Sequence, residues 1–147
     1  FYAFGGSAPV AMDGQHKFFR LKISSSYISD PHLQFMSANS LGKDDVVVAI
    51  SQSGTTAALI ESIKIVRKNG AKVIGIMPGD TPLANICDFP LTINVGSNNR
   101  ISKPVTSRIA YTAVIDVLTM GVAQLKPEAQ DHLYNIADSQ RSLKVDN

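Results

Sequence analysis

Cysteine occurs once in the 147 residues, at Cys87, so no disulfide can close within the chain. Such sparse use of cysteine fits a reducing compartment. Tryptophan is absent, and charged residues make up only 18%, with a formal net charge of +2. No basic run occurs, so the chain lacks the electrostatic footprint that nucleic acid requires. Any DNA-binding role would lie in a segment outside this one. No apolar run approaches the roughly 20 residues that cross a bilayer, and no signal peptide is visible. A cytoplasmic location with no membrane partner is therefore expected. The chain opens directly on Phe1-Tyr2-Ala3-Phe4, which reads as a central strand. The expectation is a fragment whose N-terminal part has been removed.

Hydrophobic residues make up 44%. A single domain of this length buries about 68–70% of its unfolded-chain surface and folds without disulfide or metal. Strand-like runs alternate with helical stretches. The strand candidates are Tyr2–Phe4, Ile23–Ile28, Val46–Ile50, Val73–Met77 and Phe89–Val95. Val46 to Ile50 has no polar alternation, as in a strand covered on both faces. The helical segments are Ala8–Arg20, His32–Asn39, Ala57–Asn69 and Leu83–Cys87, then Thr106–Gln124 and a last one from Pro127 to about Leu143. In the third, Leu59, Ile63 and Val66 share one stripe. Asp30-Pro31 reads as an N-cap followed by proline at the first helical position, and Asn69-Gly70 as a C-terminal stop. This alternation predicts an α/β three-layer sandwich with a five-stranded parallel sheet and right-handed crossovers. Ligands of such sheets bind outside the carboxyl ends of the strands, so the residues after each strand carry the functional question.

Gly5-Gly6-Ser7 follows the first strand and leads into a helix. It reads either as a tight turn or as an anion site built from backbone N–H groups. Ser51-Gln52-Ser53-Gly54-Thr55-Thr56 follows the third strand and also opens a helix; five of its six side chains carry a hydroxyl or amide. A helix cap uses one hydroxyl, so capping does not account for four. A concave set of hydroxyls and backbone N–H groups is what a phosphate monoester accepts from. The loop has no Gly-Lys-Ser/Thr of a nucleotide P-loop and no metal-binding acid beside it, so a small phosphate ester suits it better than a nucleoside triphosphate. Neither a metal nor a cofactor is expected.

Gly6-Ser7 together with Ser51 to Thr56 resembles the signature of the sugar isomerase (SIS) domain. The second part of that signature, Ser-x-Ser-Gly-x-Thr, is matched in full by Ser51, Ser53, Gly54 and Thr56. Asp13 to Arg20, Asp30-Pro31-His32 and Thr106 to Ala110 are similar to the RpiR family of sugar-responsive bacterial regulators, above all to its regulators of hexose catabolism. The resemblance implies a flavodoxin-like fold, a homodimer, and an effector-sensing domain whose DNA-binding helix-turn-helix lies upstream and is absent here. It implies a phosphorylated sugar or sugar acid as ligand, with 2-keto-3-deoxy-6-phosphogluconate as the particular effector. Ser51, Ser53 and Thr56 would hold the phosphate with Gln52 and Gly54 of the same loop, and Gly6 and Ser7 would face it. His32, Ser107 and Arg108 would read the rest of the ligand.

One position departs from the family's enzymes, which carry a glutamate two residues past the signature threonine; this chain has Ala58 there. Glu61 lies three residues further on, about one turn along the helix and so displaced from the place of that glutamate. Aldose–ketose proton transfer then lacks its base, and no catalytic residue is expected. A phosphosugar isomerase is the second reading, and a dimerisation module without a ligand is the third. For His32 the alternative is a surface or capping histidine. For Arg108 it is pairing with Asp116 or another surface acid, and for Cys87 a packed thiol.

Overall fold

The computed structural model describes residues 1–96 and 103–141. Four strands form one sheet, in the order β1 (Tyr2–Ala3), β2 (Val46–Ile50), β3 (Lys72–Met77) and β4 (Phe89–Thr92). All neighbours are parallel, with Ala3 opposite Ile50 and Ile50 opposite Ile76. The helices are α1 (Ala8–Arg20), α2 (Pro31–Ser40), α3 (Ala57–Lys68), α4 (Lys103–Leu125) and α5 (Pro127–Arg141).

Side chains alternate across the sheet and divide the core in two. Val47 and Ala49 point to one face, where Leu59, Ile63 and Val66 of α3 and Ala38 of α2 cover them. Val48 and Ile50 point to the other, against Val10 and Ala11 of α1 and Tyr111 and Ile115 of α4. Both faces of β2 are covered, which is why its sequence shows no polar alternation.

The expected five-stranded sheet is corrected to four. The Ile23–Ile28 segment contributes a single parallel bridge, Ile28 to Tyr2. Ser25 is engaged elsewhere: its hydroxyl donates to the carbonyl of Gln15 at 3.1 Å, and Gln15 Nε2 donates to the Ser25 carbonyl at 3.1 Å, whereas the Ser26 carbonyl accepts from the Phe1 amino group at 2.8 Å. Local side-chain bonds of this kind compete with a ladder. The segment still lies along the outer edge of β1, with the Ile28 N–H donating to the Phe1 carbonyl at 2.9 Å. Counted with it, the chain order across the sheet is that of flavodoxin-like folds, and the direction of winding reverses between β1 and β2.

The two boundary signals act as expected. Asp30 Oδ1 accepts from the Leu33 N–H at 2.9 Å, with Pro31 opening α2, and α3 ends at Asn69 before Gly70. The last helix is described only as far as Arg141, so its expected end near Leu143 lies outside the described residues. One expectation about membranes also changes. Pro104–Leu125 has the length and hydropathy of a membrane span. Its Tyr111 and Ile115 are buried against the sheet, and it carries Arg108 and Asp116, while Ile109, Val117 and Met120 are exposed.

Candidate functional site

The reversal between β1 and β2 opens a crevice at their carboxyl ends. There the chain leaves β1 through a 3-10 turn, Gly5–Ser7, and enters α1; it leaves β2 through Ser51–Thr56 and enters α3. A cavity of about 150 Å³ lies between them, lined by Gly6, Ser7, Ser51, Gln52, Ser53 and Thr56 over an apolar floor that includes Ile50 and Leu59. Two helix N-termini therefore meet at one polar hollow. Each brings unpaired N–H groups and a partial positive charge.

The N-cap residues are Ser7 for α1 and Thr56 for α3, and neither side chain makes a capping hydrogen bond. Capping thus explains neither hydroxyl. Both line the cavity instead.

The loop after β2 is fastened from within. Ser51 is buried, and its Oγ accepts from the Gly54 N–H at 3.0 Å. Ser53 Oγ, on the exposed side, accepts from the Thr55 N–H at 3.2 Å. In both cases the hydroxyl proton stays available to donate. Gly54 has φ +64, and a Cβ there would lie 2.5 Å from Thr81 Cβ. Its carbonyl accepts from the Leu83 N–H at 3.0 Å, which ties the cradle to the loop after β3. Gly54 shapes the cradle and does not itself line the cavity.

A second hollow, also about 150 Å³, shares Gly6, Ser7 and Gln52 with the first and is completed by Pro104, Ser107, Arg108 and Tyr111 of α4. The sequence-predicted Ser107 and Arg108 are thereby brought beside the cradle. The rival pairing of Arg108 with Asp116 does not occur; Asp116 pairs with Lys17. Among the described residues Arg108 has no ion-pair partner, and its guanidinium fork is available at the cavity wall.

His32 is not brought to either hollow. It is exposed in the first turn of α2. The Ile28 segment that leads into α2 lies beyond β1, one strand away from the crevice, and this displaces the start of α2. Glu61 is exposed and paired with Lys64 at 2.6 Å. Among the described residues no aspartate or glutamate lines either hollow. Cys87 is half-buried at the amino end of β4, and burial, with Asp88 beside it, pushes its thiol up to about 11. That fits a packed thiol.

The sequence reading missed Tyr111. It lies four residues past Ser107 and three past Arg108, hence on the same face of α4. That spacing was the available signal, masked by the apolar run around it.

Fold and crevice define an α/β domain with a hydroxyl-lined hollow at its topological switch point. The chain belongs to the SIS domain family, whose model matches residues 1–121. Two curated relatives are HTH-type transcriptional regulators named HexR. That of Pseudomonas aeruginosa is 39% identical over 140 residues, covering 95% of this chain and 49% of the relative. That of Escherichia coli K12 is 35% identical over 147 residues, covering 99% and 51%. The chain thus spans about half the length of these relatives. Among solved structures, the Vibrio vulnificus NanR protein complexed with ManNAc-6P superposes with a TM-score of 0.88 at 21% identity, over 99% of this chain and 55% of that one. At that identity the likeness shows the fold.

Proposed function

We propose that this chain is the effector-binding domain of a bacterial transcriptional regulator of carbohydrate catabolism, and that it senses a phosphorylated sugar acid in the cytoplasm. The observation that carries this reading is the pair of adjoining hollows with different donors. In the first, Ser7, Ser51, Gln52, Ser53 and Thr56 surround a space where two helix N-termini converge, which suits a phosphate dianion. In the second, Arg108 offers a planar guanidinium beside Ser107, which suits a carboxylate. Gly6 lies in both walls and lets a ligand backbone pass closely from one to the other.

A six-carbon phosphorylated keto acid has the two ends that such a site would take. With the likeness to the HexR regulators, this favours 2-keto-3-deoxy-6-phosphogluconate as effector. DNA binding would belong to a helix-turn-helix domain upstream of residue 1. The domain would act as a homodimer. Ile109, Val117 and Met120 form a stripe on the outer face of α4 and are 68%, 71% and 60% exposed, a surface suited to a second copy. Sedimentation as a monomer at tens of micromolar would count against that pairing.

The isomerase reading is disfavoured because no carboxylate among the described residues lines either hollow and Glu61 is engaged with Lys64. The purified chain is therefore expected to bind phosphorylated sugar acids in calorimetry without converting fructose 6-phosphate, arabinose 5-phosphate or N-acetylmannosamine 6-phosphate into a new sugar. Turnover that co-purified with the chain would reverse this assignment.

A further inference from the structure

A Cβ built on Gly121, inside α4, would meet no atom within 4 Å. Glycine is the least favourable interior residue of a helix after proline, and neither of its usual reasons applies here. The backbone at Gly121 is not left-handed, and among the described residues nothing packs close against it. Gly121 belongs to a row of every fourth residue along α4: Val105, Ile109, Ala113, Val117, Gly121 and Leu125. The row is apolar throughout, and its ends, Val105 and Leu125, are 50% and 84% exposed. Rows of this spacing are the ridges by which helices pack on one another. Outward from Val117 this ridge is small and then large in both directions, Ala113 and Gly121 first, Ile109 and Leu125 next. A two-fold axis asks that of a surface, because each end must fit the opposite end of an identical copy.

We infer that α4 crosses α4 of a second copy antiparallel, ridge beside ridge, with Val117 at the two-fold axis and Gly121 against Ala113 of the second copy. This rests on the homodimer reading above and adds to it the helix and the register through which the copies meet. The glycine then has its reason, since the ridge of the second copy takes the space that a side chain would fill. The ion pair of Lys17 with Asp116 sets α1 alongside α4, so their outer faces form one surface, on which Met12 and Phe19 of α1 are also exposed. From Ile109 to Leu125 that surface is about 24 Å long and two helices wide, a footprint on the order of 500 Å². Side-chain relief brings it to the scale of the roughly 800 Å² of accessible surface that each partner buries in a stable pair.

Sedimentation of the chain and of Gly121→Leu across the micromolar range tests this, together with oxidation of Val117→Cys and circular dichroism of all three proteins. The unsubstituted chain is expected to sediment as a dimer. Gly121→Leu, with the same helix content, should pair at least about 30-fold more weakly, because leucine meets the second copy at two symmetric points. Val117→Cys should cross-link into a covalent dimer that a reducing agent dissolves, while the unsubstituted chain, with Cys87 half-buried, does not. A dimer that Gly121→Leu leaves equally tight, or whose Val117→Cys form fails to cross-link, overturns the inference and leaves the homodimer standing on another face. Should Gly121→Leu fail to fold, the cross-link alone decides. An unsubstituted chain that stays monomeric overturns the inference and the homodimer together, and its adherence to anionic lipid vesicles would assign the face to a membrane surface. Effector sensing stands in each of these cases.

Discussion

Replacing Gly54 by alanine is expected to lower the melting temperature by on the order of 10 °C and to abolish phosphate-ester binding. Two costs add at this position. Left-handed backbone costs an L-residue roughly 1–2 kcal/mol, and φ there is +64. The new methyl group would also lie 2.5 Å from Thr81 Cβ and 2.7 Å from its Cγ2. Thr81 cannot yield freely, since its hydroxyl donates to the Pro78 carbonyl at 3.1 Å and accepts from the Ala84 N–H at 3.3 Å. Overpacking of this kind costs about 1–3 kcal/mol, and a domain of this size loses about 2–4 °C per kcal/mol. Displacing the 54–55 backbone would also break the Ser51–Gly54 bond that closes the cradle. Gly6→Ala is the control. A Cβ at Gly6 meets no atom within 4 Å, so stability should hold, while the methyl group enters both hollows and weakens binding. Differential scanning calorimetry of the two variants separates the roles. A Gly54→Ala protein that melts with the unsubstituted chain would contradict the role given to this glycine.

Ser53→Ala should weaken binding of a phosphorylated sugar acid by roughly 10- to 150-fold, the equivalent of one charge-assisted hydrogen bond of about 1.5–3 kcal/mol. Ser53 is the cleanest of the cradle hydroxyls to remove. It is exposed, and the Thr55 N–H that it leaves behind is also at the surface, where water replaces the bond. Ser51→Ala would mislead, because Ser51 Oγ holds a buried loop bond as well as facing the cavity. The expected outcome for Ser53→Ala is therefore a loss of affinity with an unshifted melting temperature. Unchanged affinity would place the phosphate elsewhere.

The parts of the fold legible in the sequence are those set by local pattern. Val46 to Ile50 could only be a strand covered on both sides, and Asp30-Pro31 and Asn69-Gly70 set their helix boundaries by short-range chemistry. The hydroxyl loop stands out because a polar cluster follows directly on an apolar strand. What fails is long-range. Ile23 to Ile28 has strand-like residues at its ends, but its register depends on whether Ser24, Ser25 and Ser26 pair with β1 or bond elsewhere. Ser25 goes to Gln15 of α1. His32 follows the right kind of loop, yet sheet order, which no local pattern encodes, puts it one strand away from the crevice. Ile109, Val117 and Tyr111 look like one wide apolar face on α4. Folding turns the first two outward and sets the third against the second hollow.

A two-ended site is tested by calorimetric titration with 2-keto-3-deoxy-6-phosphogluconate, glucose 6-phosphate and glucosamine 6-phosphate, repeated on Arg108→Ala. On the proposed reading the cradle would take any of the three phosphates, whereas the guanidinium fork at the second hollow would reward only a ligand with an acidic far end. The keto acid is expected to bind the native chain most tightly. Arg108→Ala should remove most of that preference, leaving weak and nearly equal binding of all three. Neutral sugar phosphates that bind the native chain as tightly as the keto acid would contradict a site with separate phosphate and acid ends.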